Sequence, residues 1–171
     1  VAQVQFIIHT SGLLRNWVWF AKSVMKECYS YKGEVGKIAP NLLNRDFHTE
    51  KPNQKWVTDV TEFSLFGEKL DLSPILELYI SDLVSYTISD RPVLSMVTTM
   101  LDKAIEKIPD GTDLILHSDQ CWQYQHKQYK RMLQRKVIRQ SMSRRGNCLD
   151  NAVIENFFRL LKSELFLSAR F

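Results

Sequence analysis

Asp113-Leu-Ile-Leu-His-Ser-Asp119 is the stretch on which the fold class turns. An unbroken apolar run between two acids, entered from the breaker Pro109-Asp110-Gly111, is the pattern of a parallel strand buried on both faces. A parallel strand needs crossover helices, and the flanking sequence offers them. Upstream, Ser89-Asp90-Arg91-Pro92 supplies a cap and a first-turn proline, and a helix is predicted to about Lys107. Its apolar positions Val93, Val97, Met100, Leu101, Ala104, Ile105 and Ile108 keep the helical period. Downstream, a basic helix over residues 125–135 and a short strand over 137–141 are expected. A mobile loop at 143–147 and a last helix over 149–166 follow, with Val153, Phe157, Leu160, Leu161 and Leu165 turned inward.

Further upstream, residues 56–63 are rich in β-formers and read as a strand, with Asp59 in its middle. Residues 66–69 make the turn, residues 70–79 pair back as a hairpin, and residues 84–89 form a third strand. Strands and helices in this order describe an α/β domain with a mixed sheet.

The whole chain fits that reading. Its 171 residues suit one domain, and 44% hydrophobic with 25% charged residues excludes disorder. No run is apolar enough to span a membrane, so none is expected as a partner, and the first residues lack the pattern of a signal peptide. Cys28, Cys121 and Cys148 are odd in number and scattered, which argues against a disulfide framework and for a reducing compartment. Residues 17–25 read as a helical turn or two, and residues 29–41 as an extended basic connector with Gly33, Gly36 and Pro40 as breakers. We therefore divide the chain into an arm or linker, residues 1–50, and a core, residues 51–171. The net charge of +4 hides a split. Residues 56–119 hold 12 acidic against 4 basic side chains, and residues 120–149 hold 8 basic and no acidic ones. Such a split suits a cation site beside an anion-binding surface, although charge runs also make ordinary solvated faces.

Three acids fall on three different core elements: Asp59 on the first strand, Asp119 just past the apolar strand, and Glu155 in the last helix. The end of a sheet strand is where α/β folds place ligands. At about 100° per residue, Glu155 lies about 160° from the Val153/Phe157 stripe, with Lys162 within about 20° of it and Asn151 a turn earlier. A solvated Glu/Lys face reads the same way.

Trp56-Val-Thr-Asp59-Val-Thr-Glu-Phe, Leu116-His-Ser-Asp119-Gln-Cys-Trp-Gln-Tyr and Ser141-Met-Ser-Arg-Arg-Gly-Asn-Cys-Leu-Asp-Asn-Ala-Val-Ile-Glu155-Asn-Phe-Phe-Arg-Leu-Leu-Lys162 closely resemble, in order, the three catalytic blocks of bacterial insertion-sequence transposases. These are the DDE enzymes that share a core with retroviral integrases, and the resemblance covers about residues 29–166. It implies a ribonuclease-H-like fold: a five-stranded mixed sheet flanked by helices, with a poorly structured N-terminal arm. It also implies that Asp59, Asp119 and Glu155 converge as metal ligands for two Mg²⁺ or Mn²⁺ ions, for which hard carboxylate oxygens are suited. In such a site, two ions about 3.5–4 Å apart assist in-line displacement at phosphorus. The implied activity is cleavage at the ends of a mobile element, then transfer of the freed 3′-hydroxyl into target DNA.

The implied partners are double-stranded DNA and further copies of the chain, in the bacterial cytoplasm at the nucleoid. Lys162, Asn151, Arg144, Arg145, Arg131 and Lys127 are the implied DNA contacts, within a basic path that makes binding salt-dependent. His117, Gln123 and Tyr124 of the second block either support the acids, touch DNA or only pack. His48 is expected on the linker surface. His9 and Cys28 lack paired zinc spacing, so no zinc is expected.

The sequence departs from the family at four places. Cys121 stands where the family has glycine, which would strain the loop by about 1–2 kcal/mol if that position needed a positive φ. Asp71 and residues 80–83 are unusual for an apolar strand and its turn. Residues 1–28 match no block, and relatives continue beyond Phe171, as expected for a truncated chain. A non-catalytic remnant that binds DNA or interferes with a full-length enzyme is the alternative reading.

Overall fold

The structure, a computed structural model, describes residues 36–65 and 68–168, with the side chains of Leu65 and of residues 165–168 left aside. The elements run β1 (Lys55–Thr58), β2 (Thr61–Leu65), β3 (Glu68–Glu77), β4 (Asp82–Ser89), α1 (Leu94–Ile105), β5 (Ile115–Ser118), α2 (Trp122–Gln125), α3 (Lys127–Arg135), β6 (Arg139–Met142) and α4 (Ala152–Ser168). A 3₁₀ turn, Cys148–Asn151, leads into α4.

The six strands of the sheet occupy five ranks. β4 pairs with β3, and β3 pairs antiparallel with both β2 and β1 along its length. Beyond them β5 joins β1 in parallel and β6 joins β5 in parallel. This is the expected mixed sheet, with its first strand broken in two. The break has a cause in the sequence. Thr58 pairs with Ile75 and Thr61 with Leu72, so the register sets Asp59 opposite Pro74. Proline has no N–H for the ladder. Asp59 therefore stands in a two-residue gap between strands, not in mid-strand as expected.

Strand alternation sorts the core onto the two faces of the sheet. Trp56, Ile75 and Leu116 pack with Val97, Met100 and Leu101 of α1 and Leu133 of α3 on one face. Val57, Leu76 and Ile115 pack with Ile154, Phe157, Phe158 and Leu161 of α4 on the other.

Several boundaries differ from the expectations. α1 starts at Leu94 after an extended Val93, whose apolar side chain cannot accept a capping bond, and Ser89 is instead used in a local turn, accepting from Arg91 N at 3.3 Å. The basic helix divides at His126, whose ring caps α3 by accepting from Gln128 N at 3.2 Å. In α4 the buried stripe is Ile154, Phe157, Phe158 and Leu161, whereas Val153 and Leu160 are only half-buried. Glu155 thus lies on the flank of the buried stripe, about 100° from Ile154, and not opposite it. The expected helical turn at 17–25, most of the connector, His9 and Cys28 lie outside the described residues, as does the side chain of Leu165.

The described part of the arm, residues 36–50, forms no helix or strand, yet it is docked on the core. Leu43 is buried, Met142 N donates to Pro40 O at 3.3 Å, and Leu42 N donates to Ser141 Oγ at 2.9 Å. No helix among the described residues is long and apolar enough to cross a membrane.

Candidate active site

β1 and β5 run in parallel with Val57 opposite His117, so Asp59 and Asp119, each two residues further on, leave the sheet side by side. Both carboxylates are tied to nearby backbone: Val60 N donates to Asp59 Oδ1 at 2.7 Å, and Cys121 N to Asp119 Oδ1 at 2.9 Å. Glu155 approaches from the first turn of α4, half-buried.

The electrostatics of the three acids differ. The Asp59 carboxyl is pushed well above the usual range, first by loss of water and then by the negative charges of Asp119 and Glu155, with Lys162 acting in the opposite sense. Burial lifts Asp119 to about 6 and also raises Glu155. Lys162 Nζ stands 5.4 Å from the centroid of the Phe63 ring.

Beneath the acids lies Tyr124, fully buried, its hydroxyl 3.4 Å from Thr58 Oγ1, which in turn donates to Pro74 O at 2.8 Å. Burial raises the Tyr124 phenol, and the charges of Asp59 and Asp119 raise it further.

A divalent cation fits the chemistry of this donor set: hard carboxylate oxygens raised in pKa by loss of water, Asp59 also by the charges of Asp119 and Glu155. Among the described residues, however, no three acidic, histidine or cysteine side chains are drawn together closely enough to form a finished metal cage.

The other expected site residues are scattered. Arg131, Arg145 and Lys127 are exposed, on α3 and on the loop before the 3₁₀ turn. Arg144 is bound to Asp150, with Nε and Nη2 each at 2.8 Å from a carboxylate oxygen, so the loop expected to be mobile is clamped. Asn151 is buried and its Oδ1 makes no hydrogen bond. Gln123 is buried and donates to Pro92 O at 3.1 Å. His117 is buried, with Nδ1 2.7 Å from Ser141 Oγ, and burial lowers its pKa. His48 is exposed, as expected.

Cys121 has φ −60° and ψ 148°, an ordinary extended backbone, so a side chain there strains nothing. Sequence reasoning missed Asp150 and Thr58. The one available sign for Asp150 was a lone acid directly after a 30-residue acid-free basic tract.

This arrangement of strands, with acids at adjoining strand ends and a third on a packed helix, is that of a ribonuclease-H-like core. The integrase core domain family matches residues 49–148, and the chain belongs to that family. Its sequence relatives include proteins of bacterial insertion sequences. InsK of insertion sequence element IS150 from Escherichia coli (strain K12) is 54% identical over 142 residues, covering 83% of this chain and 50% of InsK. An uncharacterized transposase-like protein of Haemophilus influenzae is 47% identical over 142 residues, covering 83% of this chain and 65% of that protein. Transposase InsF for insertion sequence IS3A, also from E. coli K12, is 33% identical over 135 residues, covering 79% of this chain and 47% of InsF. The chain therefore spans half to two thirds of these relatives.

Among solved structures, the simian T-cell lymphotropic virus intasome in complex with PP2A regulatory subunit B56 gamma superposes with a TM-score of 0.59 at 21% identity. That match covers 75% of this chain and 42% of the intasome chain. The HTLV-2 integrase catalytic core domain in complex with magnesium gives 0.53 at 16% identity, covering 66% and 68%. At such identities these neighbours establish the fold.

Proposed function

We propose that this chain carries out metal-dependent DNA strand transfer, with Asp59, Asp119 and Glu155 as ligands for two Mg²⁺ or Mn²⁺ ions. The observation that carries the reading is geometric: the parallel register of β1 and β5 sets Asp59 beside Asp119 at adjoining strand ends, and the first turn of α4 carries Glu155. The magnesium bound to the HTLV-2 catalytic core supports the choice of metal. Bound there, the ions would supply Lewis-acid activation of a hydroxyl and stabilisation of the leaving oxygen at phosphorus.

The chain's own residues do the rest. Asp59 and Asp119 are held by backbone N–H groups at the ends of adjacent parallel strands, so their separation is set by the sheet and not by flexible side chains. Lys162, on the face of α4 that carries Glu155, offers positive charge to a phosphate entering beside the acids. Arg131, Lys127, Arg145 and the exposed edge of Arg144 would extend that contact along a duplex, and Asn151 would hold the start of α4. Tyr124, buried under both acids, keeps water from their lower side.

The substrates are double-stranded DNA at an element's ends and in the target, and the working form is a homo-oligomer at the bacterial nucleoid. The dimeric and trimeric forms of the HTLV-2 core are in keeping with assembly of this fold.

The test is Mn²⁺-dependent nicking of a labelled duplex carrying candidate element ends, by the wild-type chain and by Asp59→Asn and Glu155→Gln. Metal-dependent cleavage abolished by both substitutions is expected. A folded wild type as inert as both variants would overturn the reading and leave DNA binding alone.

A further inference from the structure

Asp150 sits in the 3₁₀ turn that leads into α4, with its side chain fully buried. It collects five donors from two other segments. Arg144 gives N at 3.0 Å, Nε at 2.8 Å and Nη2 at 2.8 Å; Asn41 gives Nδ2 at 2.9 Å; Arg45 gives Nε at 3.1 Å. A buried carboxylate is tolerated only when paired and hydrogen-bonded in this way. A second tie lies alongside: Ser141 Oγ accepts from Leu42 N and bonds His117 Nδ1 on β5, two residues before Asp119. Arm, loop, helix start and the strand leading to Asp119 thus meet at one polar junction.

The rest of α4 is held differently. Ile154, Phe157, Phe158 and Leu161 bind it to the sheet by apolar contact, which is non-directional and tolerates small sliding and rotation. Glu155 lies on the flank of that stripe, where a rotation of the helix moves its carboxylate along an arc. Directional bonds at Asp150, five residues earlier and about 7.5 Å along the axis, can fix what the apolar stripe leaves free.

We infer that Asp150, through Arg144, Arg45 and Asn41, is a positioning residue that sets where the Glu155 carboxylate stands relative to Asp59 and Asp119. Arm residues 41–45 are by the same bonds part of the frame of the site. This inference rests on the reading of Glu155 as a metal ligand.

The experiment is a double-mutant cycle on Mn²⁺ affinity, read by electron paramagnetic resonance of the free ion, with no DNA present. Asp150→Asn is nearly isosteric and is expected to weaken Mn²⁺ binding by about tenfold, as outer-shell changes do. In a Glu155→Gln background the same substitution is expected to cost nothing further, because its effect passes through Glu155. Hydrogen exchange over residues 152–158 is expected to quicken in Asp150→Asn and not in Glu155→Gln.

Losses that add in the double variant, or unchanged affinity in Asp150→Asn, overturn the inference. Unchanged affinity in Glu155→Gln instead overturns the metal-ligand reading, and the inference with it. If Asp150→Asn does not fold, Arg45→Ala removes a single bond from a side chain 45% exposed and serves in its place, with a smaller loss and the same non-additivity.

Discussion

Val137 has φ of 59°, a left-handed conformation that a β-branched side chain adopts only under strain. It ends α3 in a Schellman arrangement, with Ile138 N donating to Leu133 O at 2.9 Å and Val137 N to Gln134 O at 3.1 Å, the place where glycine is usual. The side chain is 69% exposed, so little packing would be lost with it. Val137→Gly is expected to stabilise the fold by about 1 kcal/mol, a rise of about 2–4 °C in a thermal melt. A fall in Tm would mean that the strain is relieved elsewhere. Asp150 gives a prediction of the opposite sign. Its pairing with Arg144, first of all, holds its carboxyl far below the usual range. A depressed folded-state pKa contributes stability that is present above the unfolded value of about 3.9 and lost as pH falls through the folded value. The stability gap between wild type and Asp150→Asn, measured by melts from pH 7 down to pH 2, should therefore be widest above pH 4–5 and shrink steadily below it.

At the scale of elements, what the sequence revealed depended on whether one residue's neighbours in the chain or in space decide its state. The run Leu114–Leu116 could be read as a buried parallel strand because burial on both faces leaves a continuous apolar signature. Asp119 at its end followed from that. Asp59 was found as an acid on a strand, but the gap around it could not be seen locally, since its cause, Pro74, lies 15 residues away across the register. The stripe of α4 was misjudged for the same reason: Val153 and Leu160 are as apolar as Ile154, and only the sheet beneath selects among them. The arm looked like a linker because it has no period, yet its N–H groups and side chains find partners on β6 and the 3₁₀ turn. Gly36 shows how closely it is docked. A Cβ there would collide with Gln125 O and lie 2.8 Å from Gln125 Cβ, at the end of α2, and a backbone oxygen cannot step aside as a side chain can. Gly36→Ala is expected to cost about 1–3 kcal/mol, the usual scale for overpacking. It should also raise proteolytic sensitivity around residues 36–48. Unchanged stability would show that this end of the arm lifts off freely.

For the molecule as a whole, the acidic half and the basic tract take on different work. Part of the basic tract is spent on surface contacts within the chain: Lys136 pairs with Asp110, Arg139 with Asp113 at 2.7 Å, and Lys130 donates to Lys37 O. Arg131, Arg135 and Arg145 stay exposed and make no ion pair among the described residues. The acids are the reverse case, because Asp59 and Asp119 sit out of water and Asp59 also feels the charges of Asp119 and Glu155. Such a site destabilises the protein that carries it, and a cation that relieves the repulsion should return the stability. At pH 8, Mg²⁺ at ten times its dissociation constant is expected to contribute about 1.4 kcal/mol, or about 3–5 °C in Tm. Asp59→Asn removes one charge from the cluster, so it is expected to melt higher than wild type without the ion, by on the order of 1 kcal/mol, and to lose the response to Mg²⁺. The two shifts have opposite signs and come from one substitution, which separates them from a general loss of structure. An Asp59→Asn protein that melts lower than wild type, or that still responds to Mg²⁺ in full, would show that these carboxylates are not the groups the cation relieves.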